Sequence, residues 1–105
     1  VSQLMKDGLM EAVDVQQLET FKAATLFAQS EGIIPAPESA HAIATAIREA
    51  EQAKLEGKPR TILFNLSGHG LIDMAAYDMY IAGDLTNYNV SDEELKKNFA
   101  EIEKL

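Results

Sequence analysis

Apolar residues recur along this chain at two different spacings, and each spacing predicts a different kind of element. From Gln17 to Ser30 they fall at Leu18, Phe21, Ala24, Leu26, Phe27 and Ala28, which reads as a helix stopped by Gly32. The apolar stripe is wide for a surface helix, so burial on most sides is expected. A second helix is predicted over Glu38–Glu56, where Ala40, Ile43, Ala44, Ile47, Ala50 and Leu55 keep the 3.6-residue period. Pro37 suits its first turn, Glu38 suits the positive end of its dipole, and Gly57 with Pro59 closes it. Ile33-Ile-Pro-Ala-Pro37, just upstream, is held extended by its two prolines.

Two other runs carry strand signals. Glu11-Ala-Val-Asp-Val15 is short, β-branched and alternating. Thr61-Ile-Leu-Phe-Asn-Leu66 is nearly all apolar between turn residues, the pattern of a central strand covered on both faces. Shorter helices are predicted from Val1 to Lys6, ending near Gly8, and from Met74 to Ile81, opened by Asp73 and ended by Gly83. Ser91-Asp-Glu-Glu94 has the spacing of a capping box, and Leu95, Phe99, Ile102 and Leu105 line one face of the helix that follows. The order strand, helix, helix, strand, helix, helix predicts an α/β fold. Two strands are too few for a doubly wound sheet. The expectation is therefore a partial three-layer αβα domain, the piece of a longer protein whose remaining strands lie upstream. That position 1 is Val, inside a predicted helix, agrees with this.

The 105 residues allow one domain of modest size. Seventeen Asp and Glu against nine Lys and Arg give a net charge of -8, which repels a phosphate backbone and an anionic membrane surface, so neither nucleic acid nor membrane is an expected partner. No apolar run approaches the roughly 20 residues of a transmembrane helix. There is no cysteine, hence no disulfide framework and no thiolate metal site, and a cytoplasmic setting is expected.

The chemistry-bearing segment is Leu66-Ser-Gly-His-Gly70, a turn between the predicted central strand and a helix. Ligands of open α/β sheets bind at the carboxyl ends of strands, which is where Ser67 stands. Gly68 and Gly70 either let a ligand approach the backbone closely or simply make a tight turn. A hydrolase nucleophile elbow is not present, because Asn65 and His69 occupy its two glycine positions. His41 and His69 read as hydrogen-bonded structural histidines, and no metal site is expected. Glu38, at a helix start behind two prolines, is either an oriented carboxylate or plain dipole stabilisation.

Glu31-Gly-Ile-Ile-Pro-Ala-Pro-Glu-Ser-Ala-His-Ala-Ile43 followed by Ile62-Leu-Phe-Asn-Leu-Ser-Gly-His-Gly70 resembles the tryptophan synthase β-chain family. Pro37, His69 and the Asp73-Met-Ala-Ala-Tyr-Asp-Met-Tyr80 segment resemble the second of that family's two branches, whereas Leu71-Ile72 departs from that branch's His-Phe pair. The likeness spans about residues 1–85 and leaves residues 86–105 as a tail with an amphipathic helix. It implies the C-terminal part of a fold-type II enzyme that uses pyridoxal 5'-phosphate to condense L-serine with indole into L-tryptophan.

In that likeness Ser67 matches the hydroxyl that faces the cofactor's pyridine nitrogen, and Glu38 the carboxylate beside the ring. Gly68 and Gly70 match the turn that admits the ring. A neutral hydroxyl opposite the nitrogen leaves it unprotonated and the ring a weaker electron sink, which favours elimination and replacement of the serine hydroxyl over transamination. The family's Schiff-base lysine and glycine-rich phosphate loop are not identifiable here. The chain alone is therefore expected to be inactive. The resemblance further implies a homodimer and, as a possible partner, a tryptophan synthase α chain. The competing expectation is a non-catalytic α/β interaction or oligomerisation module that docks through an apolar face.

Overall fold

The computed structural model describes residues 1–102 and Lys104. Its helices are α1 (Ser2–Lys6), α2 (Gln17–Glu31), α3 (Pro37–Glu56), α4 (Met74–Ala82) and α5 (Asp92–Ile102). Each predicted helix is present, with ends that follow the proline and glycine punctuation. Gly32 and Gly57, at φ 72° and 65°, end α2 and α3 in the left-handed conformation. The Leu105 position expected on α5 lies outside the described residues.

The expected α/β architecture is overturned: among the described residues there is no strand. A strand exists only through a ladder of hydrogen bonds to a neighbour. Neither Glu11–Val15 nor Thr61–Leu66 has such a neighbour, and both run without regular structure. The run Thr61–Leu66, expected to be covered on both faces, is covered on one, and in Glu11–Val15 Val15 alone is half-buried. Val15, Ile62 and Phe64 are half-buried, while Val13 and Leu63 are 58% and 96% exposed.

The centre of the molecule is the α2/α3 pair, with α4 laid against α2. Four alanines, Ala23 and Ala24 on α2 and Ala40 and Ala44 on α3, are buried at this contact, and side chains so small let two helix axes come close. Around Ala24 and Ala40 the core is aromatic: the Phe21 ring meets Tyr77 edge-on at 5.1 Å and stacks on Tyr80 at 5.8 Å. A second cluster joins Ala23, Ile43 and Ala44, with Val15, Phe27, Ile47 and Phe64 packed against it. The two irregular runs thus cover the far side of the helix pair.

α2 is less covered than its apolar stripe suggests. Only Thr20, Phe21, Ala23 and Ala24 are buried, and Leu26 is 54% exposed, because among the described residues α3 and α4 are the only helices packed against it. Arg48 on α3 holds the outer edge, donating to the Glu19 carboxylate at 2.6 Å and to the Asp14 carbonyl at 3.1 Å. That pairing draws the Glu19 carboxyl below its ordinary range. α1 and α5 bury no residue. The capping box of α5 forms as predicted: the Glu94 amide donates to the Ser91 hydroxyl at 3.2 Å, and the Ser91 amide returns a bond to the Glu94 carboxylate at 3.1 Å. The segment before α5 is tied back to α2, where the Asn87 side-chain oxygen accepts the Leu18 amide at 3.0 Å. That amide is one of the donors a helix start leaves unpaired. No helix is long and apolar enough to cross a membrane among the described residues.

Candidate functional site

The first turn of α3 and the turn at residues 67–70 meet, although 28 positions separate the residues that join them. Pro37 occupies the start of α3, following Ala36 at φ -61° and ψ 141°, the backbone that a residue ahead of proline is steered into. This entry sets the direction of the first turn. Glu38 faces outward and is exposed, whereas Ser39 is turned inward and only 8% exposed.

Ser39 holds the turn. Its hydroxyl donates to the Ser67 carbonyl at 2.7 Å and accepts the Ser67 amide at 3.2 Å, and the two hydroxyl oxygens lie 3.4 Å apart. The other end of the turn is held by Gly70, whose amide donates to the Ile34 carbonyl at 2.9 Å. A side chain at position 70 would put its first carbon 2.5 Å from the Pro35 carbonyl oxygen, so only glycine lets the two backbones approach this closely. Gly68 has φ 66° and lies over Ala36, which makes it the residue that bends the turn.

α4 completes the assembly. The Asp73 amide donates to the Gly70 carbonyl at 2.9 Å, and the buried Tyr77 hydroxyl donates to the Pro35 carbonyl at 2.6 Å. Burial pushes the Tyr77 hydroxyl above the ordinary tyrosine range, and the Asp73 charge adds to it.

Of the residues singled out from sequence, the structure gathers Glu38, Ser67, Gly68 and Gly70 at this junction. Ser67 is exposed. Among the described residues no basic side chain is paired with Glu38. His69 is exposed and bonds within its own loop, its Nδ1 accepting the Leu71 amide at 3.2 Å. His41 looks to α2, with Nδ1 3.3 Å from the Thr20 hydroxyl. Since Thr20 donates to the Gln16 carbonyl at 3.0 Å, the imidazole is the donor in that contact. Both histidines are thus hydrogen-bonded within the fold.

Sequence reading passed over Ser39 and Tyr77. Ser39 stands one helical turn before Ile43, so the apolar periodicity of α3 already placed it on the inner face. Nothing in the short apolar run of α4 marks Tyr77 apart from its neighbours.

No family model matches the chain. Individual proteins do. The chain is 59% identical over 85 residues to tryptophan synthase beta chain 2 of Methanosarcina mazei, which covers 81% of this chain and 19% of that protein. With the protein of the same name from Thermotoga maritima it shares 65% identity over 77 residues, 73% of this chain and 18% of that one. The match to the Pyrococcus furiosus protein, 51% over 92 residues, reaches 88% of this chain and 21% of its relative. The chain therefore spans about a fifth of the length of the curated relatives it matches. At this level of identity, and with the two motifs that carry the likeness joined in one junction, the chain belongs to the tryptophan synthase β-chain family.

Proposed function

We propose that this chain supplies one wall of the cofactor site in a pyridoxal 5'-phosphate-dependent lyase that joins L-serine and indole to give L-tryptophan. The observation that carries the reading is the Ser39–Ser67 junction, which sets the exposed Ser67 beside the helix turn bearing Glu38. It is supported by relatives that bear the name tryptophan synthase beta chain 2. In this reading residues 1–85 are part of the catalytic domain and residues 86–105 a tail.

The donor set suits the ring end of the cofactor. Ser67 offers a neutral hydroxyl to a ring nitrogen, Glu38 offers a carboxylate able to hold a proton for the reacting serine, and the backbone around Gly68 and Gly70 is closely packed. In this reading the Schiff base and the phosphate contacts belong to other parts of the polypeptide. This segment alone is then inactive. Bound pyridoxal phosphate supplies the electron sink for loss and replacement of the serine hydroxyl. Ser67 orients the ring and leaves its nitrogen unprotonated, and Glu38 exchanges a proton at the serine oxygen. A homodimer, an α-chain partner and a cytoplasmic setting are part of the proposal.

The test uses the full-length polypeptide with serine and indole. Ser67→Ala removes one hydrogen bond, worth on the order of 1 kcal/mol, so activity falls roughly tenfold and does not vanish. Ser67→Asp keeps a proton on the ring nitrogen and raises transamination relative to tryptophan formation. If the Asp variant has the product ratio of the Ala variant, Ser67 does not face the ring nitrogen.

A further inference from the structure

Ser39 grips both backbone groups of the residue that faces the cofactor in this reading. A serine hydroxyl has one hydrogen and two acceptor positions. The hydrogen goes to the Ser67 carbonyl at 2.7 Å, and one acceptor position takes the Ser67 amide at 3.2 Å. In the remaining contact, 3.4 Å between hydroxyl oxygens, Ser39 has no hydrogen left to give. Ser67 is therefore the donor there and Ser39 the acceptor. The distance is long for an O–H···O bond, so the Ser67 hydrogen rests on a weak and exchangeable partner. Ser39 itself is 8% exposed, which keeps water from competing for its hydrogen.

We propose that Ser39 is a positioning residue: it clamps the backbone of residue 67 and sets the Ser67 hydroxyl as a hydrogen donor toward an aromatic ring nitrogen that carries no proton. When the ring arrives, the Ser67 hydroxyl turns from Ser39 to the nitrogen. One weak bond is exchanged for a better one, and no atom is transferred. The inference rests on the reading of Ser67 given above.

Ser39→Ala, Ser39→Thr, Ser67→Ala and the Ser39→Ala/Ser67→Ala double variant are made in the full-length polypeptide. Pyridoxal 5'-phosphate is titrated into each apo form, with affinity read from the absorbance of the bound cofactor and folding checked by circular dichroism. Ser39→Ala is expected to weaken binding about three- to tenfold, and Ser39→Thr, which keeps the hydroxyl, to restore it to within about twofold. In the Ser67→Ala background the same change at 39 costs less than about twofold, because no hydroxyl is left to aim. Full additivity of the two losses overturns the proposal, since it makes Ser39 a support of the fold only. Undiminished binding in Ser39→Ala, or a Thr variant as weak as Ala, overturns it as well. A Ser67→Ala variant with unchanged affinity and spectrum marks a different failure, that of the Ser67 reading itself.

Discussion

Gly70→Ala should be the most damaging single-methyl addition to the junction, and the structure gives its size. The new carbon would lie 2.5 Å from the Pro35 carbonyl oxygen, 2.7 Å from Ile34 Cγ2 and 3.2 Å from the Pro35 carbonyl carbon, where unstrained contacts are near 3.5–4.0 Å. The Ile34 side chain can rotate away. The Pro35 carbonyl cannot, because it also receives the Tyr77 hydroxyl at 2.6 Å, and its neighbour's carbonyl receives the Gly70 amide at 2.9 Å. Relief requires the two backbones to part by about 1 Å, which breaks at least the Gly70 bond. Overpacking costs about 1–3 kcal/mol and the lost bond about 1 more, so a destabilisation of about 2–4 kcal/mol is expected. Gly83→Ala is the control: it meets no atom within 4 Å but has φ 78°, a penalty of about 1 kcal/mol. Urea unfolding of the chain and both variants, followed by helical circular dichroism at one protein concentration, ranks them by midpoint. A Gly70→Ala shift no larger than that of Gly83→Ala would refute the close approach.

Two further outcomes concern titration. Burial and the Asp73 charge raise the Tyr77 hydroxyl, so the folded chain holds that proton more tightly than the unfolded one. The resulting stability is complete below the ordinary tyrosine value, near 10, and is lost as pH rises through the folded value; Tyr77→Phe should remove this alkaline slope in urea midpoints measured across that range. At the tail, hydrogen bonds led by the Ser91 amide lower the Glu94 carboxyl, so the cap is present above the ordinary carboxylate value and is lost as pH falls through the folded one. Ser91→Ala should lower the helical chemical shifts of residues 92–102 at neutral pH and reduce, without abolishing, their acid dependence, because the amide of residue 91 and the Tyr88 hydroxyl still reach Glu94.

The helices were legible because their signals are local. Pro37 at a start and Gly32, Gly57 and Gly83 at stops act through the backbone of the residue itself, whatever packs nearby. The two runs read as strands failed for the opposite reason. The apolar run Thr61–Leu66 signals burial, and it overstates even that, since Phe64 is packed on the core but Leu63, expected to be covered on the other face, is 96% exposed. It says nothing about a partner for the backbone, and a strand is defined by that partner. The tie between Asn87 and Leu18 was invisible in the same way, since a cap drawn from 69 residues away leaves no local pattern.

The site was half legible, and the illegible half explains why the legible motifs occur together. Ile34, Pro35 and Ala36 have three carbonyl groups that need donors where the chain is largely buried, and Pro35 brings no amide of its own. Ala40 serves Ala36 from within α3, at 3.0 Å. The other two donors come from downstream: the Gly70 amide for Ile34 and the Tyr77 hydroxyl for Pro35, the latter from 42 residues away. The proline-rich strip is therefore a docking rail whose unmet acceptors call for the segment that carries Ser67. A partner at residue 70 must be glycine to come near enough, and Ser39, the next inward residue past the rail, then lands on the Ser67 backbone. The spacing between Glu38 and Ser67 along the chain carries no information about their proximity. The satisfaction of buried carbonyls does, and it makes one junction of two motifs that a reading of local sequence could only set side by side.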